Sequence, residues 1–313
     1  MTAASWTLIF NCWRVAAGIG LACLVAAVGC TGRDERAIPD SKLPPSERSA
    51  ASADSQQRPA AETILNRLTA HYREAPHYVA EAVYRERYLR RSDPSATEPP
   101  PHVIAVAFVR PDRLRITRQT PAVHSGAVEM TMVIGERLLA ETTEHTDKLL
   151  DRPAPDKLSH ESISESAQLV AGLLPVPLEN LYPQIDLLVS KPGGGPRLQE
   201  ASEATLLDDD EIDGAACYRV RLDRPTGKHV LWIDKEAPVL RRLEMPTDEV
   251  RRQLDPSGEL SQLDLWIDFR GATLDSPPSD DRFLIEAGER EVVASFRAAE
   301  TNRAITTTEP ETP

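Results

Sequence analysis

The side chains able to do chemistry are scattered. Cys12, Cys23, Cys30 and Cys217 form no Cys-x-x-Cys pair and join no Cys/His cluster, so neither a redox pair nor a zinc site is spelled out. Cys217 stands in Ala215-Ala-Cys-Tyr-Arg-Val-Arg-Leu222, where a small buried strand residue is expected rather than a reactive thiol. The histidines are dispersed; His71 and His77 come nearest to a pair, at a helix end and a strand start, where surface positions are expected. Asp209, Glu211, Asp213 and Gly214 imitate the start of a calcium loop, but Val220 stands where the closing bidentate Glu would be, so an acidic turn is the reading. Carboxylate pairs such as Asp264 with Asp268, or Asp280 with Asp281, fall on wet strand faces and loops with no base or nucleophile beside them. No Gly-x-Ser-x-Gly, His-Glu-x-x-His, Gly-x-x-x-x-Gly-Lys or Gly-x-Gly-x-x-Gly segment occurs. The expectation is a non-catalytic protein without cofactor or metal.

The remaining reactive position is Cys30. Arg14 is followed by Val15 to Val28, all small or apolar, then Gly29 and Cys30. The run has the length and small-residue ending of a signal peptide, and it is short of the roughly 20 apolar residues a spanning helix needs unless Trp6 to Trp13 extend it. The segment Leu24-Val-Ala-Ala-Val-Gly-Cys30 resembles the lipobox of bacterial lipoproteins. That resemblance implies cleavage before Cys30 and a lipid on its thiol, which would suffice as the anchor. The alternative is an uncleaved membrane helix; both place the rest of the chain outside the cytoplasm, in the cell envelope. By resemblance to enterobacterial sorting, Thr31 in place of Asp favours the outer membrane.

The formal charge is −13, and Arg14 is the only charged residue before Cys30, so the processed chain is more acidic still. Such a surface repels nucleic acid, and no nucleic-acid partner is expected. Residues 30–60 hold four prolines, mixed charge and little aliphatic bulk, and read as a disordered tether behind a signal peptide at 1–29. Residues 298–313, ending Thr306-Thr-Thr-Glu-Pro-Glu-Thr-Pro, read as a disordered tail. One folded domain is expected over 61–297.

Its pattern begins helical. Ile64, Leu65, Leu68 and Tyr72 share a helix face over Ala61 to Glu74, with Glu62 at the positive end. After Pro76 the period becomes two. Tyr78, Ala80, Ala82, Tyr84 and Glu86 oppose Val79, Glu81, Val83 and Arg85, and further strands are expected at His102 to Val109, Arg113 to Arg118 and Val128 to Ile134. Their short connections call for an antiparallel meander. Helical patterns over Asp156 to Leu174 and Pro177 to Val189 follow, with Ser159 and Ser162 a weak cap, and then the turn Lys191-Pro-Gly-Gly-Gly-Pro196. Strands return at Ala204 to Leu207, Ala216 to Leu222, Gly227 to Ile233, Val239 to Met245, Leu260 to Phe269 and Glu291 to Phe296. About ten strands result, in an α+β fold: a strongly curved antiparallel sheet with helices on its concave face.

Phe108-Val-Arg-Pro-Asp-Arg-Leu-Arg-Ile116, Asp213-Gly214 with Cys217-Tyr-Arg-Val-Arg-Leu222, Trp232-Ile-Asp-Lys235, and Trp266-Ile-Asp-Phe-Arg270 followed by Asp281-Arg-Phe283 resemble, in order and spacing, the LolA/LolB periplasmic lipoprotein-carrier superfamily. The resemblance spans nearly all of 61–297. It implies a half-open β-barrel, helices as a lid, and a concave face able to hold an acyl chain or a partner's peptide.

Two functions follow from different classes. The first is a membrane-anchored envelope lipoprotein binding a hydrophobic ligand, with Phe108, Met130, Met132 and Trp232 lining the cavity. The same residues could instead form a filled core. The second is an envelope protein–protein adaptor or stress-sensor module on the same fold.

Overall fold

The computed structural model describes residues 59–296, apart from 94, 122–126, 171–172, 174–182, 190–200, 202, 249–250, 253–254 and 256. The signal peptide, Cys30, the tether, the tail and the glycine turn at 191–196 therefore lie outside the described residues.

Helix α1 (Ala61–Glu74) opens the domain and buries Ile64, Leu65, Leu68 and Tyr72, the face its spacing predicts. Strands β1 (His77–Arg90), β2 (His102–Val109), β3 (Arg113–Thr120) and β4 (Val128–Ile134) follow as an antiparallel meander. Next come β5 (Arg137–Thr142) and β6 (Lys148–Pro153), then α2 (His160–Gln168) and α3 (Pro183–Val189). The second half contributes β7 (Glu203–Leu206), β8 (Asp210–Ile212), β9 (Ala215–Arg224), β10 (Gly227–Asp234), β11 (Leu240–Met245), β12 (Leu260–Thr273) and β13 (Glu291–Val293).

All thirteen strands belong to one sheet, in the order β13-β6-β5-β4-β3-β2-β1-β12-β11-β10-β9-β7, with β8 beside β9. Every pairing is antiparallel except β13 on β6. The sheet does not close, and the fold is α+β. Its centre is the pairing of β1 with β12, two strands of 14 residues each.

Three strands exceed expectation. β5 and β6 are six residues each and β8 three, too short and too mixed in polarity for alternation to stand out. β8 and β9 are joined by Asp213-Gly214, both at positive φ (51° and 82°), the two-residue hairpin turn this dipeptide favours. The first helical stretch is also shorter than its periodicity predicts, running only from His160 to Gln168. The helix begins at His160 rather than near Asp156, because Ser159 caps it: its hydroxyl accepts from the Ser162 amide, and the Ser162 hydroxyl accepts from the Ser159 amide. That reciprocal box is stronger than a serine pair suggested.

One face of the sheet packs on the helices. Tyr78, Ala80, Ala82, Val106, Phe108, Leu114, Ile116, Met132, Leu231, Ile233, Ile267 and Phe269 form a single buried cluster with α1 and with Ile163, Ala167, Ile185, Leu187 and Leu188. The opposite face carries a smaller cluster. After β12 the chain crosses it through a 3-10 turn (Asp280–Phe283), setting Phe283 and Ile285 on Ala107, Val133 and Leu149 before reaching β13. Arg113 pairs with Asp280 at 2.7 Å and Arg115 donates to the Arg282 carbonyl at 2.7 Å, so this strap is pinned by charge as well as apolar contact.

Candidate ligand-binding site

The helix-covered face of the sheet is graded. In register, one row runs Leu114, Phe108 and Tyr78, and the next Met132, Ile116, Val106 and Ala80, entirely apolar. The row beyond holds Met130, Arg118, Ile104, Ala82 and Phe269, and after it come His102, Tyr84 and Ile267. Glu86, opposite Leu265, extends the same face. An apolar bed therefore gives way to cationic, imidazole and carboxyl groups at one end.

Burial marks those polar groups electrostatically. It pushes the Glu86 carboxyl up to about 7. Burial, helped by Arg118, pulls His102 down to about 4. Arg118 itself is buried.

The other end of the bed is closed by Arg110. Its Nε donates to the Ala75 carbonyl at 3.1 Å, and its Nη2 donates to the carbonyls of Tyr72 (3.3 Å) and Leu188 (3.0 Å). The guanidinium lies 5.2 Å from the centre of the Phe108 ring. One side chain thus joins the last turn of α1 to the end of α3 and covers Phe108, and its charge suits the negative ends of both helices. The sequence reading gave Arg110 no role; its position between an apolar strand and Pro111 was the available signal.

Of the expected cavity residues, Phe108 and Met132 are fully buried in the interior cluster and Met130 is half-buried against it. Trp232 is not brought to them. Leu231 and Ile233 take the interior, so period two sends Trp232 to the other face. There its Nε1 donates to Glu244 at 2.7 Å, between Arg219 and Arg242, whose guanidinium carbons lie 4.7 and 5.4 Å from its ring. Trp266 shares that face, as the alternation of β12 predicts, donating to Asp268 at 3.2 Å. Cys217 is fully buried, with its thiol pushed up to about 11 by burial and then by Asp234. Asp209 and Asp210 of the acidic turn pair with Lys235 and Arg219.

No family model matches the sequence, and no curated protein matches it. Solved structures similar to it include LprF from Mycobacterium bovis, at 13% identity over 70% of this chain and 97% of that one, with a TM-score of 0.36. A LolA superfamily protein from Nitrosomonas europaea matches at 14% identity over 73% and 99%, TM-score 0.29. MucB of Pseudomonas aeruginosa, in complex with MucA, matches at 15% identity over 74% and 63%, TM-score 0.36. The likeness is one of fold. Among the described residues no helix is long and apolar enough to cross a membrane.

Proposed function

We propose that this chain is a non-catalytic envelope lipoprotein that binds an acyl-bearing ligand between its sheet and its helices. In this reading residues 1–29 are removed, Cys30 carries the lipid, 30–60 tether the domain at 61–297, and the outer membrane is the favoured anchor. The observation that carries it is the Arg110 latch. Helices α1 and α3 are joined over an apolar bed by hydrogen bonds from one cationic side chain to carbonyls at 3.0–3.3 Å, contacts that water can replace when the helices part. Parting them exposes Phe108, Met132 and the small side chains of Ala80 and Ala82, room for an acyl chain whose polar end meets Arg118.

The test is native mass spectrometry, with organic extraction, of the secreted chain carrying Cys30→Ala. A lipid or fatty acid near one to one supports the reading. A ligand-free protein that also fails to take a fluorescent acyl probe overturns it and leaves the adaptor function.

A further inference from the structure

The last described stretch of the chain works on both faces of the sheet. Phe283 and Ile285 pack on Ala107, Val133 and Leu149 on the face away from the helices, whereas Phe296 is buried in the helix-covered cluster. Between the two, the chain rounds the β6 edge: Gly288 turns at positive φ (53°), Arg290 pairs with Glu141 at 2.8 Å, and β13 lies parallel on β6.

What Phe296 reaches is α2. Its amide donates to the Leu169 carbonyl at 3.0 Å, and the Ser295 hydroxyl donates to the same oxygen at 3.1 Å. Leu169 is the C-cap of α2, so both bonds fall on the negative end of that helix. The Phe296 ring stacks on the His145 imidazole of the β5–β6 turn, with centres 6.1 Å apart and 5° between the planes. One aromatic side chain therefore fastens the end of α2 to the sheet.

α2 needs such a fastening. It is nine residues long, shorter than the roughly 12–15 at which a helix holds in water by itself, and it buries only Ile163, Ser166 and Ala167. The carbonyls that Arg110 bonds belong to α1, its flank and α3, not to α2. The fastening is also lightly secured from outside. β13 has three residues, Glu286 to Glu289 are exposed, and Val292 is 63% exposed, so few contacts are lost when this stretch lifts.

We propose that the chain from Glu291 to Phe296 is a releasable clamp on α2, and that its undocking opens the interior along the β5–β6 side to ligand. Ile163 and Ala167 share one buried cluster with Leu138, Ala140 and Leu150 of β5 and β6, so this door bares apolar surface. The identity of the ligand rests on the acyl-ligand reading above, while the clamp stands on contacts of the chain itself.

The test uses the mature chain carrying Cys30→Ala. Amide exchange reads the clamp, and uptake of a fluorescent acyl probe reads the door. Phe296→Ala should speed exchange across His160–Gln168 about tenfold or more, leave Ala61–Glu74 and the β1–β12 pair as protected as in the parent, and speed uptake severalfold. Lys148→Cys with Glu291→Cys covers a Phe296→Ala chain that misfolds, because the two positions face each other in the β6–β13 register at a spacing a disulfide can bridge. Oxidised, that chain should exchange α2 and take up probe more slowly than when reduced. Unaltered α2 exchange in Phe296→Ala and in the oxidised chain overturns the clamp. Faster α2 exchange with unaltered probe uptake overturns its role as a door. A parent that takes no probe while α2 exchange responds removes the acyl-ligand reading and leaves the clamp supported.

Discussion

The phenol oxygen of Tyr72 accepts a hydrogen bond from the backbone amide of Leu240 at 3.2 Å, joining the first helix to β11 across 168 residues of sequence. Both residues are fully buried, and burial holds the Tyr72 hydroxyl protonated, with its pKa pushed up to about 12. The Tyr72 and Tyr78 rings stand 5.4 Å apart at 45°, so the phenol is positioned by packing as well. Tyr72→Phe keeps the ring and strands the amide. It is expected to cost about 1–3 kcal/mol, read as a lower urea midpoint with an unaltered slope.

Arg110 serves three carbonyls, those of Tyr72 in the last turn of α1, of Ala75 just after it and of Leu188 at the end of α3. Arg110→Ala is expected to speed amide exchange in Pro183–Val189 and the last turn of α1 while leaving the β1–β12 pair protected. Arg110→Lys, which keeps the charge but not the fork, should fall between. If the latch gates ligand, both variants take up an acyl probe faster than the parent; equal rates would remove Arg110 from the binding mechanism.

Glu86 is expected to make stability depend on pH near neutrality. Burial raises its folded pKa to about 7 from 4.5, so the folded state keeps its proton while the unfolded chain has lost it. Stability is therefore full below about 4.5 and declines as pH rises toward 7. Glu86→Gln should raise the melting temperature at pH 8, by about 1–2 kcal/mol equivalent after allowing for its partial exposure, and do nothing at pH 4. A gain of equal size at both pH values would contradict the burial argument.

His102 and His229 act in the opposite sense. Burial first, then Arg118 for one and Arg224 for the other, lowers each from 6.5 to about 4. The unfolded chain takes up protons that the folded state refuses, so stability present above 6.5 is lost as pH falls toward 4. Replacing both with Gln should flatten thermal stability across that window, measured by calorimetry in steps of half a pH unit.

Cys217 should be silent to a thiol reagent. Its side chain is fully buried and its thiol is pushed up to about 11, so little thiolate exists to react at neutral pH. Titration with an aromatic disulfide is expected to show no Cys217 reaction in the native protein and full reaction in denaturant; prompt native reaction would mean that β9 opens locally.

Much of this fold was legible because burial on one side writes a period into the chain. Ile64, Leu65, Leu68 and Tyr72 declare α1, and Val128 to Ile134 declares β4 at its observed ends, since a helix face or strand face must be apolar to pack. β5, β6 and β8 were not legible, because each is both short and mixed in polarity and takes its stability from neighbours rather than from a pattern of its own. The interior roles of Phe108 and Met132 could be read from residue type; that of Trp232 could not, because an indole suits a core and an arginine-lined surface equally well.

The sequence alone determined the order of helix and strand, the antiparallel meander, the two faces of β12 and the acidic charge, all consequences of local period and composition. Tertiary structure decided what meets across long separations. Arg110 reaches Leu188, Tyr72 reaches Leu240, and Arg87 reaches Asp264 only once β12 lies beside β1. Such contacts depend on register and crossing geometry, which the alternation of apolar and polar residues restricts to a face but does not assign to a partner.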